Sequence, residues 1–164
     1  MKVFYEDEAR FGRINNVSRC WVPPHFRAQV KQSRLRRDPL TGESYSFISP
    51  FCNTEAMNEL LRGFSKQYEQ DQILLIVDGA GWHSSKDLVV PSNISIVRLP
   101  SYSPELNPTE HIWDYIREQK KFNNYIFDSL DTLEDHLFEV LKNLNDEKEY
   151  ISSLCTFTWM INSS

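Results

Sequence analysis

Cysteine is scarce: Cys20, Cys52 and Cys155 are the only three among 164 residues, far apart and in no CxxC spacing. An odd, scattered set of thiols argues against a disulfide framework and against a zinc site, and it fits a reducing compartment. No apolar run approaches the roughly 18 residues that a membrane span requires. The opening residues, MKVFYEDEAR, carry acids where a signal peptide would hold its apolar core, which argues against secretion and for a cytoplasmic location. Internal repeats and low-complexity tracts are also missing. What remains is a chain of single-domain length, 13% aromatic, long enough to build a sizeable core.

A second scarcity is local. From Ala9 to Arg37 the chain has no acid at all, yet it carries Arg10, Arg13, Arg19, Arg27, Lys31, Arg34, Arg36 and Arg37. From Glu105 to Glu149 the balance reverses, with twelve acids against five bases. A net charge of −5 would ordinarily count against a polyanionic partner. Phosphate contacts are local, however, so one basic face suffices. The competing reading of the same run is a solvated loop or hairpin.

Along the chain, KVFYED reads as a strand ending in acids. Asn15 and Asn16 mark a turn, and SRCWV a second strand stopped by Pro23 and Pro24. RRDPLTGES is turn-rich, and YSFISPF follows as a further strand. A helix is predicted from about Glu55 to Gln70, capped by Asn53 or Thr54, with Met57, Leu60, Leu61 and Phe64 as its apolar stripe. QILLIV, ending at Asp78, suggests a strand covered on both faces. A short helix near Ser84 to Val89, a strand at ISIVRL, a helix opened by Asn107-Pro108 and running to about Lys121, and a last helix from about Asp131 to Leu144 complete the pattern. Early hairpins followed by alternating strands and helices imply an α/β three-layer domain, a mixed sheet with helices packed on it.

Two apolar strands thus lead into acids, KVFY into Glu6-Asp7-Glu8 and ILLIV into Asp78. If these strands are neighbours, Asp7 and Asp78 sit side by side. Two close carboxylates repel, and one protonates unless a cation neutralises them. A pair of Mg²⁺ or Mn²⁺ ions does this in phosphodiester chemistry. Taken alone, Asp78-Gly79 reads more readily as a turn dipeptide. Strand alternation puts Asp7 on the face opposite Glu6 and Glu8 without saying which face is functional. Glu110 falls at the third helical position after Asn107, where a capping box and a metal-ligand role are both compatible with the geometry. Glu105 lacks a rigid element to place it, and Asp114 has surface partners in Arg117 and Lys121.

LLIVDGAGWHSS followed by LPSYSPELNPTEHIWDYI resembles the catalytic core of DDE-type transposases, and is most similar to the bacterial insertion-sequence branch of the mariner-like superfamily. YEDEARFGR resembles that family's first catalytic strand, and RCWVPP the segment after it. The likeness covers nearly the whole chain, in the right order. It implies a ribonuclease H-like fold, a mixed β-sheet flanked by helices on both faces. It also implies that Asp7, Asp78 and Glu110 form a metal-binding catalytic triad. Thirty-one residues separate Asp78 from Glu110, slightly fewer than the family leads one to expect. The implied cofactor is Mg²⁺ or Mn²⁺, two ions in the active complex, since all three ligands are hard oxygens. The implied chemistry is metal-assisted hydrolysis at transposon ends, then attack of the freed 3′-hydroxyl on target DNA. His83 would lie near the site, contacting phosphate or positioning water, or else capping the next short helix. The basic segment from Arg10 to Arg37 becomes a candidate DNA-phosphate surface, whereas Trp21 and Trp82 read as core or wall residues.

Relatives in this family carry N-terminal helix-turn-helix domains, whereas Met1 here leads directly into the catalytic strand. The expectation is therefore a single catalytic domain over residues 1–164. It would be the second product of a split reading frame, a shortened copy or an isolated domain, with a separate N-terminal polypeptide recognising the DNA ends. The implied setting is the bacterial nucleoid, and a homodimer is among the assemblies allowed. Two other readings remain open: a decayed or repurposed transposase serving as a DNA-binding or interaction module, and a ribonuclease H-like nuclease acting on RNA or branched DNA.

Overall fold

The computed structural model describes residues 1–12, 31–39, 41–51, 53–79, 85–100, 103–119, 122 and 126–157. The strands are β1 (Lys2–Phe11), β2 (Lys31–Arg37), β3 (Ser44–Ser49), β4 (Ile73–Val77) and β5 (Ile94–Arg98). The helices are α1 (Thr54–Gln67), α2 (Thr109–Gln119), α3 (Leu130–Asn143) and α4 (Lys148–Cys155), with a 3-10 turn at Pro104–Leu106. One five-stranded sheet runs in the order β3-β2-β1-β4-β5. The β1–β2 and β2–β3 pairs are antiparallel, while β1–β4 and β4–β5 are parallel.

β1 does not stop at its acids as the sequence pattern suggested. Its pairing with β4 extends only to Tyr5, opposite Ile76, but β2 continues to pair with it from Tyr5 to Phe11. The antiparallel neighbour supplies the main-chain partners that carry the strand through Glu6, Asp7 and Glu8. β2 itself, KQSRLRR, was not anticipated as a strand. It turns into β3 through Gly42, whose φ of +68° favours glycine and whose missing Cβ leaves room for Lys148 O and Arg37 Nη2.

The two faces of the sheet carry separate cores. On one, Phe4, Ile73, Leu75, Val77 and Ile94 meet the α1 stripe of Met57, Leu60, Leu61 and Phe64, all four fully buried. α1 begins where the sequence placed it, with the Asn53 side chain accepting from Ala56 N at 2.9 Å. On the other face, Ala9, Phe11 and Leu35 pack against α2, α3 and α4 through Ile112, Trp113, Ile116, Leu133, Leu137, Leu141 and Ile151. β4 is buried at Ile73, Leu75 and Val77 and half-buried at Leu74 and Ile76, so its two faces are covered unequally.

α3 matches its expected span and starts in a capping box between Ser129 and Thr132. α4 was not anticipated. The short helix expected near Ser84 to Val89 is absent from residues 85–90. A turn stands there, with Leu88 N donating to Ser85 O at 3.2 Å. The SRCWV strand, the Asn15-Asn16 turn, Trp21, Trp82, Cys20 and Cys52 lie outside the described residues.

Candidate active site

Asp7 and Asp78 are set by one register. Lys2 pairs with Ile73 and Tyr5 with Ile76, an offset of 71 that, continued two residues past Tyr5, brings Asp7 abreast of Asp78. Alternation then decides the face. Phe4 and Leu75, paired in the same register, point into the α1 core, so Asp7 belongs to the opposite face, where α2 lies. Asp78, directly after β4, is near enough to act on it electrostatically. The pair therefore stands at the carboxyl end of the parallel strands, where side chains are fixed by the sheet yet reachable.

Glu110 reaches this face through the first turn of α2. Thr109 Oγ1 donates to Tyr5 O at 3.4 Å, and Asn107 Nδ2 donates to Glu6 O at 3.4 Å. Both acceptors are carbonyls of the residues just before Asp7. The Asn107 carboxamide also accepts from Thr109 N at 3.2 Å, which caps the helix start. From behind, Cys155 Sγ donates to Pro108 O at 3.4 Å. Three hydrogen bonds thus tie the start of α2, two to β1 on one side and one to α4 on the other. Among the described residues the Glu110 carboxylate makes no bond back to Asn107, so the capping box is not closed, and Glu110 stays exposed.

The electrostatics record the crowding. Burial pushes the Asp7 carboxyl up to about 8, aided by the negative charges of Glu110, Glu6 and Asp78 and opposed by a backbone hydrogen bond at Glu8. Carboxylates are hard-oxygen donors, the ligand type that a divalent cation such as Mg²⁺ takes. Among the described residues, no three acidic, histidine or cysteine side chains are yet close enough to enclose an ion. The other two acids of the loop and helix behave as surface groups. Glu105 is exposed in the 3-10 turn, and Asp114 pairs with Arg117 at 3.6 Å one turn along α2.

The basic segment needs correction. Arg34 is 1% exposed and Arg36 and Arg37 are 0% exposed, so none of the three can form part of a phosphate-binding surface. The reason is the strand they occupy: alternation turns Arg34 and Arg36 under α1, where Met57 Sδ accepts from both, and Arg37 toward Gly42 and Cys155. Arg10, by contrast, is exposed near the end of β1. Lys31 opens β2, and Arg13, Arg19, Arg27 and His83 lie outside the described residues. Sequence reasoning missed the anchoring role of Thr109. No periodic signal marks it, because its partner is a carbonyl a hundred residues away.

The model of the DDE superfamily endonuclease matches residues 2–134. The chain belongs to that superfamily. This DDE chain is 35% identical over 122 residues to the uncharacterized protein y4pE/y4sA of Sinorhizobium fredii, covering 74% of this chain and 90% of that one. Its fold is similar to that of the Mos1 transposase in a paired-end complex with the left transposon end, with a TM-score of 0.61 at 15% identity. It is likewise similar to the Mos1 mariner paired-end complex with Mn, with a TM-score of 0.60 at 15% identity. In both cases 95% of this chain aligns to 56% of the other, so the DDE chain spans little more than half the length of those transposases. The mixed five-stranded sheet flanked by helices is ribonuclease H-like, as the sequence implied.

Proposed function

We propose that this chain is a transposase catalytic domain, a metal-dependent DNA endonuclease and strand-transferase whose ligands are Asp7, Asp78 and Glu110. The observation that carries the reading is the shared register of Asp7 and Asp78, with Glu110 on a helix anchored to the strand of Asp7. The carboxylates repel one another without a cation, and a divalent cation supplies the attraction that would draw them together. When bound, a pair of Mg²⁺ or Mn²⁺ ions supplies activation of the attacking water or 3′-hydroxyl and stabilisation of the leaving oxygen. The chain's own part is placement. β1 and β4 hold two carboxylates on rigid strands, and Asn107 and Thr109 fix the helix start that presents the third.

The DNA partner is proposed on the same basis: Arg10 offers an exposed cation on β1, three residues beyond Asp7. Arg13, Arg19, Arg27, Lys31 and His83 are the remaining candidates for phosphate contact. A separate N-terminal DNA-recognition polypeptide and a second copy of the chain are further candidate partners.

Nicking of supercoiled plasmid with Mg²⁺, compared between the wild type and Asp78→Ala, tests the assignment. The expected result is loss of nicking by at least about a hundredfold in the variant, the scale of a removed metal ligand. Equal nicking by both proteins would sink it. A second reading, a DNA-binding module without catalysis, is supported by the finding that no three acidic, histidine or cysteine side chains among the described residues are close enough to hold an ion. DNA binding with no metal-dependent cleavage would support that instead.

A further inference from the structure

On the face of β1 opposite Asp7, two glutamates meet two arginines. The antiparallel register sets Glu6 against Arg36 and Glu8 against Arg34. Arg34 Nε lies 3.3 Å from Glu8 Oε2, and Arg36 lies in the field of Glu6. α1 roofs both guanidiniums: Met57 Sδ accepts from Arg34 Nη1 at 3.4 Å and from Arg36 Nη2 at 3.7 Å, and Arg36 stands 4.9 Å from the Phe64 ring centroid. Glu6 is 1% exposed. Arg36 in particular is poorly placed to add stability. Arg36 Nε and Nη1 find no hydrogen-bond partner among the described residues, and a buried charge so satisfied repays little of its desolvation. Buried ion pairs of this kind are better at choosing one register over another.

The register arithmetic shows what they choose. Residue i of β1 pairs with residue 42 − i of β2. A slip of one residue sets Asp7 against Arg36 or against Arg34, and turns the faces of β1 over. A slip of two in one direction opposes Glu6 to Asp38 and Arg10 to Arg34, like charge against like. In the other direction it leaves Glu8 against Gln32 and Arg36 against Phe4. Of these five alignments, only the native one gives both glutamates an arginine and leaves Asp7 opposite an apolar residue, Leu35.

We infer that the Glu6–Arg36 and Glu8–Arg34 pairs are register keys, and that Arg34 and Arg36 are positioning residues that hold Asp7 on the α2 face without a cationic neighbour across the strand. The inference rests on the reading of Asp7 as a metal ligand. The keys work by exclusion: they add an energetic penalty to each alternative alignment and little to the native one.

The test uses the full chain with both members of a key neutralised, Glu8→Gln with Arg34→Met, and Glu6→Gln with Arg36→Met. Thermal unfolding, amide hydrogen exchange across Tyr5–Ala9 and Mn²⁺ affinity by electron paramagnetic resonance are measured. The expected result is an unchanged or raised melting temperature, with β1 exchange faster and Mn²⁺ affinity lower by about tenfold each, a typical cost of losing a ligand's supporting shell. Arg34→Lys, which keeps the charge, is expected to hold Mn²⁺ affinity within about threefold of wild type. Exchange and affinity both unchanged in the neutralised chains would overturn the inference. If those chains do not fold, Arg34→Gln and Arg34→Lys are compared, and equal Mn²⁺ affinity in the two overturns it. Asp7→Asn separates the two levels of reading. Should it bind Mn²⁺ like the wild type, the ligand reading fails, and the exchange rates alone uphold or overturn the register role.

Discussion

A carboxyl pushed up to about 8 beside Glu110, Glu6 and Asp78 is a liability in the metal-free chain, and its sign is testable. The unfolded value is near 3.8, so the folded state binds the Asp7 proton more tightly than the unfolded state does. Its contribution to stability is then full below about pH 4 and is lost as pH rises toward about 8. With chelator present, urea unfolding should show stability falling across that window, and Asp7→Asn should flatten the fall. A slope unchanged in Asp7→Asn would exclude Asp7 as its source. The competition between proton and cation also predicts that ion binding releases a proton below about pH 8. At this scale the sequence was legible for some side chains and not others. Asp7, Asp78 and Asp114 could be placed from alternation, strand ends and helix spacing. Arg34, Arg36 and Arg37 could not, because whether an arginine is buried depends on the residue across the strand and the helix packed over it. Neither is written in the local run of basic residues.

α2 begins the way it does because side chains on either side of Pro108 reach back to β1. Asn107 serves two masters, donating to Glu6 O and accepting from Thr109 N. Asn107→Ala removes both bonds from a buried place, with an expected cost of about 1–3 kcal/mol in chemical unfolding. Because the lost bonds hold the first turn against the strand of Asp7, metal-dependent nicking should fall further than the loss of folded protein explains. Activity that follows the folded fraction alone would show that the anchor is structural only. Among the elements, α1, β4, β5, α2 and α3 were legible to within a few residues. Their apolar residues recur at periods the sequence displays, and Asn53 marks a cap. β2 was hidden by its charges and α4 by its brevity and its polar composition, KEYISSLC. The expected helix before β5 failed for a different reason: the Asn58 side chain on α1 satisfies that segment's main chain, its Nδ2 donating to Asp87 O at 3.0 Å and its Oδ1 accepting from Val89 N at 2.8 Å. A segment fastened from outside does not need its own helical bonds.

Viewed whole, the molecule hangs two separate cores on one sheet, and β1 belongs to both: Phe4 enters the α1 core, Ala9 and Phe11 the core of α2, α3 and α4, with Asp7 between them. The order of the sheet follows from this division. The antiparallel half carries the hairpin and the parallel half carries the crossovers, so the candidate site falls at the strand where they join. If the sheet insulates one core from the other, damage to each should add. Leu60 and Leu137 are both fully buried, one in each core. Leu60→Ala and Leu137→Ala should each cost about 2–5 kcal/mol in urea unfolding. The double variant should equal the sum to within about 0.5 kcal/mol. Because the wild type has only a marginal reserve, the double variant should be measured with Mn²⁺ present and absent, since a ligand of the native state raises the unfolding free energy by mass action. Additivity would mean that each core can be varied independently while β1 keeps Asp7 in place. Coupling well beyond that margin would mean that β1 passes strain between the cores. Asp7 would then respond to substitutions on either face, and core variants distant from it should change Mn²⁺ affinity as well as stability.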